Sequence, residues 1–218
     1  LYAYGVYQIE ADGKSLFSNI EGDENTIMGL PVKQIKDYLK NYKWICFNRM
    51  KKYLVIGNPI EHSLSPKLHN YWFKKNKIKA VYDRKKINED DIQVIIDEIK
   101  NNKINGINVT VPFKKSVIPF LDELTPLANE TQSVNTIYKN GDKVIGHNTD
   151  VDGFKLSLRH IKYETKNKKI FILGSGGVVP SIIIALKKMK VSKIILSNRT
   201  KKKAEDLKKK FPYLEIIN

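Results

Sequence analysis

The stretch Ile170-Phe171-Ile172-Leu173-Gly174-Ser175-Gly176-Gly177 decides the fold class of this 218-residue chain. Four apolar residues in a row predict a buried strand, and the glycines after them predict a tight turn. Residues 178–190 can continue as a helix, and residues 193–197 read as a second strand. A strand, a glycine turn, a helix and another strand in this order are typical of a βαβ unit with a parallel sheet.

The same turn predicts a dinucleotide site, because glycines let backbone amides approach a pyrophosphate at the N-terminus of the following helix. Val179 occupies the last position of G-x-G-x-x-G, where a smaller residue is usual. NAD binders carry an acidic residue at the end of the second strand, whereas this chain has Asn198-Arg199-Thr200 followed by three lysines at 201–203. These cations favour a 2′-phosphate, and so NADP over NAD. A glycine turn without a nucleotide, followed by a solvated lysine face, is the alternative.

Strands and helices also alternate upstream of this unit, which predicts an α/β substrate domain with a mostly parallel sheet. Strands are expected at 53–57, 80–84, 106–111, 134–138 and 143–146, and helices at 66–76, 89–101, 114–121 and 125–131. An internal Met50-Lys51-Lys52 precedes the first of these strands, and residues 151–161 have a mixed helical spacing that could link two domains. We therefore expect a segment at 1–49, a substrate domain at 50–150 and a partial Rossmann-type nucleotide domain at 151–218.

The charge distribution bears on which partners the chain takes. Lys and Arg number 39 against 23 Asp and Glu, a formal charge of +16. The excess grows along the chain, from six cations against six anions in 1–49 to sixteen against eleven in 50–149 and seventeen against six in 150–218. Almost all of these cations are lysines, whereas base readout favours arginine. We expect a solvated lysine surface and no nucleic-acid partner, with a lysine-rich nucleic-acid binder as the alternative.

Composition excludes several other classes of protein. The 41% hydrophobic and 28% charged content is ordinary for a globular protein. No apolar run approaches the ~20 residues of a membrane span, and no signal-peptide pattern opens the chain, so we expect a cytoplasmic protein without a membrane partner. Cys46 is the single cysteine, which excludes an internal disulfide and a multi-cysteine zinc site. The four histidines lack metal-ligand spacing, so no metal is expected.

Three polar clusters follow predicted strands, where ligand crevices of open α/β sheets lie. The first holds Ser63 and Ser65, and the second holds Asn108 and Thr110 on one strand face with Lys114 just beyond. The third brings together an amide and a carboxylate, Asn135 and Asp150. Each has an ordinary structural explanation as a cap, an exposed lysine or an Asx turn. Together they predict a polyol site with one lysine and one carboxylate for proton transfer.

With these motifs in place, residues 50–218 resemble the shikimate dehydrogenase family. The resemblance rests on the order and spacing of G-N-P-x-x-H-S-x-S-P at 57–66, N-V-T-V-P-F-K at 108–114, V-N-T at 134–136, N-T-D at 148–150, G-x-G-G at 174–177 and N-R-T at 198–200. It implies reversible NADP-dependent reduction of 3-dehydroshikimate to shikimate, in the pathway to chorismate and the aromatic amino acids.

The resemblance also implies roles for individual residues. Lys114 would be the acid/base, assisted by Asp150. The substrate would be bound by Ser63, Ser65, Thr110, Asn135 and Asp150, with Asn108 lining the same pocket. The cofactor would contact Gly174, Ser175, Gly176 and Gly177 at the pyrophosphate, and Asn198, Arg199, Thr200 and Lys203 around the 2′-phosphate.

The first 49 residues resemble a different family. Tyr4-Gly5-Val6-Tyr7 and the segment from Ile20 to Pro31 are similar to the C-terminal end of Maf-family nucleoside-triphosphate pyrophosphatases. Maf proteins keep most of their catalytic groups in an N-terminal half that these residues do not include, and Glu10 replaces a common glutamine. We expect a remnant without pyrophosphatase activity, and a natural chain that extends beyond both ends of the sequence.

Two alternative functions and one question of assembly stay open from the sequence. The chain could be a quinate/shikimate dehydrogenase that uses either nicotinamide cofactor. It could instead be a fragment that binds shikimate or NADP without turnover, because family members continue well beyond residue 218. A homodimer is a further outcome that the sequence leaves open.

Overall fold

The computed structural model describes residues 50–217. The predicted Maf-like segment at 1–49 lies outside the described residues. Within 50–217 no helix is long and apolar enough to cross a membrane. The same residues contain no group of three or more His, Cys, Asp or Glu side chains that could hold a metal ion.

Strands and helices alternate through the first hundred described residues. These elements are β1 (Lys51–Gly57), α1 (Ser65–Lys75), β2 (Ala80–Lys86), α2 (Ile92–Lys100), β3 (Gly106–Val109), β4 (Glu123–Leu124), α3 (Pro126–Thr131), β5 (Thr136–Asn140) and β6 (Lys143–His147). Single 3-10 turns lie at Glu89–Asp91 and Ile118–Phe120. The six strands form one sheet in the order β2-β1-β3-β5-β6-β4.

This first sheet is mixed. The neighbours of β1, which are β2 and β3, run parallel to it, as β4 does to β6, while β5 runs antiparallel to both β3 and β6. Apolar residues of α2 recur at helical spacing and are fully buried against the sheet, namely Ile92, Ile95, Ile96 and Ile99. The larger hydrophobic core of this sheet therefore includes α2, and a smaller cluster of Val55, Ile60 and Tyr82 packs with Phe73 of α1.

The remaining elements are α4 (Asp150–His160), β7 (Lys169–Leu173), α5 (Val179–Lys188), β8 (Lys193–Ser197), α6 (Lys201–Lys210) and β9 (Leu214–Ile216). The three strands form a second, wholly parallel sheet in the order β7-β8-β9. A separate core joins it to α5 and α6, with Ile183, Leu186 and Leu196 fully or almost fully buried. The predicted α/β class, with a mostly parallel sheet and a Rossmann-like unit, is confirmed.

The structure differs from the prediction at two segments that bear on helix content. Residues 114–121 do not form a helix but a series of turns that ends in the 3-10 turn at Ile118–Phe120. Pro119 has no N–H to donate to the carbonyl four residues earlier, so an α-helix cannot propagate through this segment. The opposite difference occurs at α6, a helix that the lysine-rich sequence did not predict. Its apolar side, Ala204 and Leu207, packs into the second core.

Candidate active site

The candidate site is built around an ion pair between Lys114 and Asp150. Lys114 lies in the turns after β3, and its Nζ is 2.7 Å from Asp150 Oδ2. The two side chains are only 13% and 20% exposed. Asp150 is the first residue of α4, where the helix dipole favours a carboxylate. The pair therefore holds an ammonium group in a fixed place beside an anion.

Asn135 holds the other side of the same carboxylate. Its Nδ2 donates to Asp150 Oδ1 at 2.9 Å and to Thr149 Oγ1 at 2.8 Å. Its Oδ1 accepts from the Thr149 backbone N–H at 3.0 Å. Both carboxylate oxygens of Asp150 thus have partners, so the aspartate cannot rotate without breaking a charge-assisted hydrogen bond.

Asn108 belongs to the same network through a contact that the sequence did not predict. Its Oδ1 accepts from the Tyr82 hydroxyl at 2.6 Å, and its Nδ2 donates to Asn135 O and Thr136 Oγ1, each at 3.1 Å. Both amide hydrogens are therefore used within the protein. The Asn108 Oδ1 has a second acceptor lone pair, which a ligand could use.

Ser63, Ser65 and Thr110 lie at the carboxyl edge of the same sheet. Thr110 directly follows β3, which pairs with β1 so that Val109 is opposite Ile56. A Cβ on Gly57 would lie 2.6 Å from Thr110 Cγ2, so only glycine allows the two strand ends to approach this closely.

The loop that carries Ser63 and Ser65 is held in place by Arg84. The Arg84 guanidinium donates to the carbonyl oxygens of Glu61 and Ser63, and the Ser63 hydroxyl accepts from the Ser65 backbone N–H at 3.4 Å. In the described part of the chain neither serine hydroxyl is hydrogen-bonded to Lys114 or Asp150. The structure thus brings Lys114, Asp150, Asn135 and Asn108 into one network and leaves the two serines outside it.

The glycine turn is open to a ligand. Gly174 has φ +98°, which favours glycine, and its N–H donates to Ser197 O at 2.8 Å. A Cβ on Gly176 would meet nothing within 4 Å. Within residues 50–217 the backbone amides of 175–177 donate no hydrogen bond, and they precede the first turn of α5. Val179, by contrast, is 5% exposed and packs into the core, which accounts for the bulky residue in the motif. These features fit a pyrophosphate.

The end of β8 lies beside this turn, because Leu173 of β7 pairs with Ser197. Asn198 Nδ2 donates to Thr200 O at 2.8 Å and shapes the loop that follows. Arg199 and Lys203 are exposed. The cations therefore lie at the edge where the ribose of a dinucleotide bound to the glycine turn would be expected.

The two predicted halves of the site meet at Gly177. A Cβ on this glycine would lie 3.9 Å from Lys114 Cδ and 4.0 Å from Lys114 Cβ. The Ser133 hydroxyl also donates to Gly177 O at 3.1 Å. The sequence separates Lys114 from the glycine turn by some sixty residues, and no sequence signal indicated this contact. Lys114 and the glycine turn thus lie side by side.

His69 packs against Tyr82, the residue that donates a hydrogen bond to Asn108. Its ring stacks on Tyr82 with centroids 4.1 Å apart and an interplanar angle of 6°. Burial lowers the pKa of His69 from 6.5 to about 4, because desolvation disfavours the charged ring. The neutral stack keeps the Tyr82 hydroxyl aimed at Asn108.

This shift predicts a pH dependence of stability. The unfolded chain binds more protons than the folded one between about pH 4 and 6.5, so the free energy of unfolding falls as pH is lowered through that window. The loss due to His69 should be about 2 kcal/mol at about pH 5. Urea unfolding at about pH 7 and pH 5 would measure it. His69→Phe, which keeps an aromatic ring on Tyr82, should show a smaller fall than wild type. Equal falls in both proteins would contradict the assignment.

Two family models match the chain. The model of the shikimate dehydrogenase substrate-binding domain matches residues 55–137, and that of shikimate/quinate 5-dehydrogenase matches residues 156–217. Among curated proteins, the shikimate dehydrogenase (NADP(+)) of Pelagibacter ubique is 61% identical over 167 residues, which cover 77% of this chain and 63% of that protein.

Solved structures agree with these matches. The crystal structure of shikimate dehydrogenase from Aquifex aeolicus superimposes with a TM-score of 0.74 at 41% identity, covering 80% of this chain and 65% of that one. A shikimate dehydrogenase in complex with NADP+ gives a TM-score of 0.69 at 37% identity, covering 74% and 55%. The chain thus spans less than two thirds of the proteins it matches. Through residues 55–217, this chain belongs to the shikimate dehydrogenase family.

Proposed function

We propose that this chain catalyses the reversible NADP-dependent reduction of 3-dehydroshikimate to shikimate. The observation that carries the proposal is the Lys114–Asp150 ion pair, 2.7 Å long, directly beside Gly177 of the glycine turn. An acid/base next to a dinucleotide turn is the arrangement that a carbonyl reduction needs.

In the reduction, NADPH supplies the hydride when bound. The Lys114 ammonium donates a proton from Nζ to the substrate carbonyl oxygen as negative charge develops there. Asp150 keeps the ammonium in place and stabilises its charge, and Asn135 keeps Asp150 in place. In the opposite direction the neutral lysine accepts the proton of the shikimate hydroxyl. The carbonyl thus gains one hydride on carbon and one proton on oxygen.

The substrate contacts follow from the edge of the sheet. We propose that Ser63, Ser65, Thr110 and Asn135 bind the polar groups of shikimate, with Asp150 accepting from a hydroxyl and Asn108 lining the wall. Most of these groups are neutral hydrogen-bonding side chains, which suit a polyol.

We propose NADP as the cofactor, held by Gly174, Ser175, Gly176 and Gly177 at the pyrophosphate and by Asn198, Arg199, Thr200 and Lys203 at the 2′-phosphate. The support is the exposed Arg199 and Lys203 at a strand end that lacks an acidic residue. The name of the Pelagibacter ubique relative, which includes NADP(+), points the same way.

The cofactor assignment predicts a preference that can be measured. Arg199→Gln should lower kcat/KM with NADP about tenfold or more and leave kcat/KM with NAD nearly unchanged, because only the former loses a charge-assisted hydrogen bond. Lys166→Gln is the matched control, since this exposed lysine precedes β7 at the opposite end of the strand from the glycine turn. Wild-type protein that used NAD as well as NADP would contradict the charge argument.

A quinate/shikimate dehydrogenase is the second candidate, favoured by the family model that matches residues 156–217 and includes both substrates in its description. Steady-state turnover with shikimate and with quinate, each with NADP and with NAD, distinguishes the two. We expect shikimate with NADP to give the highest kcat/KM. Calorimetric binding of shikimate without turnover would instead indicate a binding fragment, and retardation of DNA in a low-salt gel shift would indicate a nucleic-acid binder.

The wider organisation is also a proposal. We propose a substrate domain at 50–150 and a nucleotide domain at 151–218, supported by the two separate sheets. For residues 1–49 we propose a Maf-like remnant, supported by the sequence resemblance alone.

A cytoplasmic location follows from the proposed biosynthetic role. We also propose a homodimer as the assembly, which sedimentation of the purified chain would test.

A further inference from the structure

A buried polar cluster is centred on Asn148, two residues before Asp150. We call Lys114, Asp150, Asn135 and Asn108 the acid/base network. The Asn148 Nδ2 donates to Ser133 O at 2.7 Å and to Ser181 Oγ at 2.9 Å, and Thr131 Oγ1 lies 3.3 Å from the same nitrogen. Its Oδ1 accepts from the Val151 backbone N–H at 3.3 Å. Of the five polar side chains that are buried among residues 50–217, four belong to this cluster: Thr131, Ser133, Asn148 and Ser181. We call these four residues the Asn148 cluster.

The cluster links segments from both sheets. Ser133 and Asn148 lie in the two loops that flank the β5–β6 hairpin, whereas Ser181 lies in the first turn of α5. The Ser133 hydroxyl donates to Gly177 O at 3.1 Å and so fixes the glycine turn itself. Because a buried polar group is unfavourable unless it is hydrogen-bonded, this set of contacts strongly favours one arrangement of the three segments.

The spacing along the chain connects the cluster to the chemistry. Asn148 precedes Asp150 by two residues, and Ser133 precedes Asn135 by two residues. Each of the two loops therefore supplies one side chain to the acid/base network and another to the Asn148 cluster. A shift of the glycine turn relative to Lys114 would have to break the Asn148 or Ser133 contacts first.

We propose that Asn148 and Ser133 are positioning residues that hold the glycine turn and the start of α5 against the Lys114–Asp150 pair. Their role is to align a bound nicotinamide with the substrate carbon, and neither side chain takes part in proton transfer. This inference rests on the proposed dehydrogenase function. It goes beyond that function by assigning a task to two residues outside the acid/base network.

Ser133→Ala in the full chain tests the proposal, with Ser192→Ala as the matched control because Ser192 is exposed in the turn before β8. We expect kcat to fall about tenfold in Ser133→Ala, since small misplacements of reacting groups are costly. The dissociation constant for shikimate, measured by calorimetry, should stay within about twofold, because the substrate residues are untouched. Asn148→Asp removes the central donor and should give the larger fall in kcat.

Amide hydrogen exchange gives a readout that does not depend on turnover. The amides of Val179, Ser181 and Ile182, which bond to Gly176 O and Val178 O, should exchange about tenfold faster in Ser133→Ala. The Thr110 amide, bonded to Ile56 O in the first sheet, should be unchanged. Unchanged exchange in α5, or equal acceleration at Thr110, would overturn the proposal. Wild-type protein without turnover would count against the proposed function, and the exchange rates would still decide the role of the cluster.

Discussion

Lys114→Ala is expected to lower kcat for shikimate oxidation about a thousandfold, the largest effect of any single substitution in this site. The substitution removes the only ammonium group that contacts Asp150 in the described site, and this is the group that we propose exchanges the proton with the substrate oxygen. Shikimate affinity should change less than about threefold, because the neutral hydrogen-bonding residues of the pocket remain. Steady-state kinetics together with calorimetry would separate the two quantities.

Lys115→Ala provides the matched control for this prediction. Lys115 is the adjacent residue and carries the same charge, but its side chain is exposed. Its replacement should leave kcat within about twofold of wild type, as for most surface changes away from a site. If Lys114→Ala kept kcat within tenfold of wild type under saturating substrate, the acid/base would have to be another group.

Asp150→Asn is expected to lower kcat about a hundredfold and also to raise KM. The carboxylate accepts from Lys114 at one oxygen and from Asn135 at the other. An amide has one acceptor and one donor, so its NH2 group would face either the ammonium of Lys114 or the NH2 group of Asn135. The lysine thus loses both its anionic partner and its fixed position.

Asp152→Asn is the control for Asp150→Asn, since Asp152 lies in the same first turn of α4 and is 57% exposed. This control should behave as wild type in both kcat and KM. Equal kinetic effects of the two substitutions would show that the negative charge of the turn, and not the contact with Lys114, is what matters.

The residues that sequence could identify are those whose chemistry is carried by short motifs. Lys114, Asp150 and the glycines at 174–177 each follow a predicted strand, so their edge of the sheet could be expected before the structure was known. Most strands and helices were likewise predictable from apolar runs and periodicity, whereas the two-residue β4 was not. The helix α6 was not, because its few apolar residues are hidden among eight charged ones.

The contacts that sequence could not identify depend on tertiary register. Tyr82 reaches Asn108 because β2 and β3 both pair with β1 in one particular alignment. Gly177 lies beside Lys114 because Ser133 is hydrogen-bonded to Gly177 O and Asn148 is hydrogen-bonded to Ser181 of α5. Neither alignment is encoded in a local pattern, so neither the orientation of Asn108 nor the contact between Lys114 and Gly177 could be predicted from the sequence.

We propose that the glycine turn and the Lys114–Asp150 pair form one reaction centre for hydride and proton transfer. The most direct measurement incubates the purified chain with 3-dehydroshikimate and NADPH carrying deuterium at both C4 positions, followed by mass spectrometry of the product. We expect shikimate with one deuterium on the new carbinol carbon, formed by wild type and by Lys115→Ala but about a thousandfold more slowly by Lys114→Ala. Shikimate without deuterium, or equal rates in all three proteins, would contradict it.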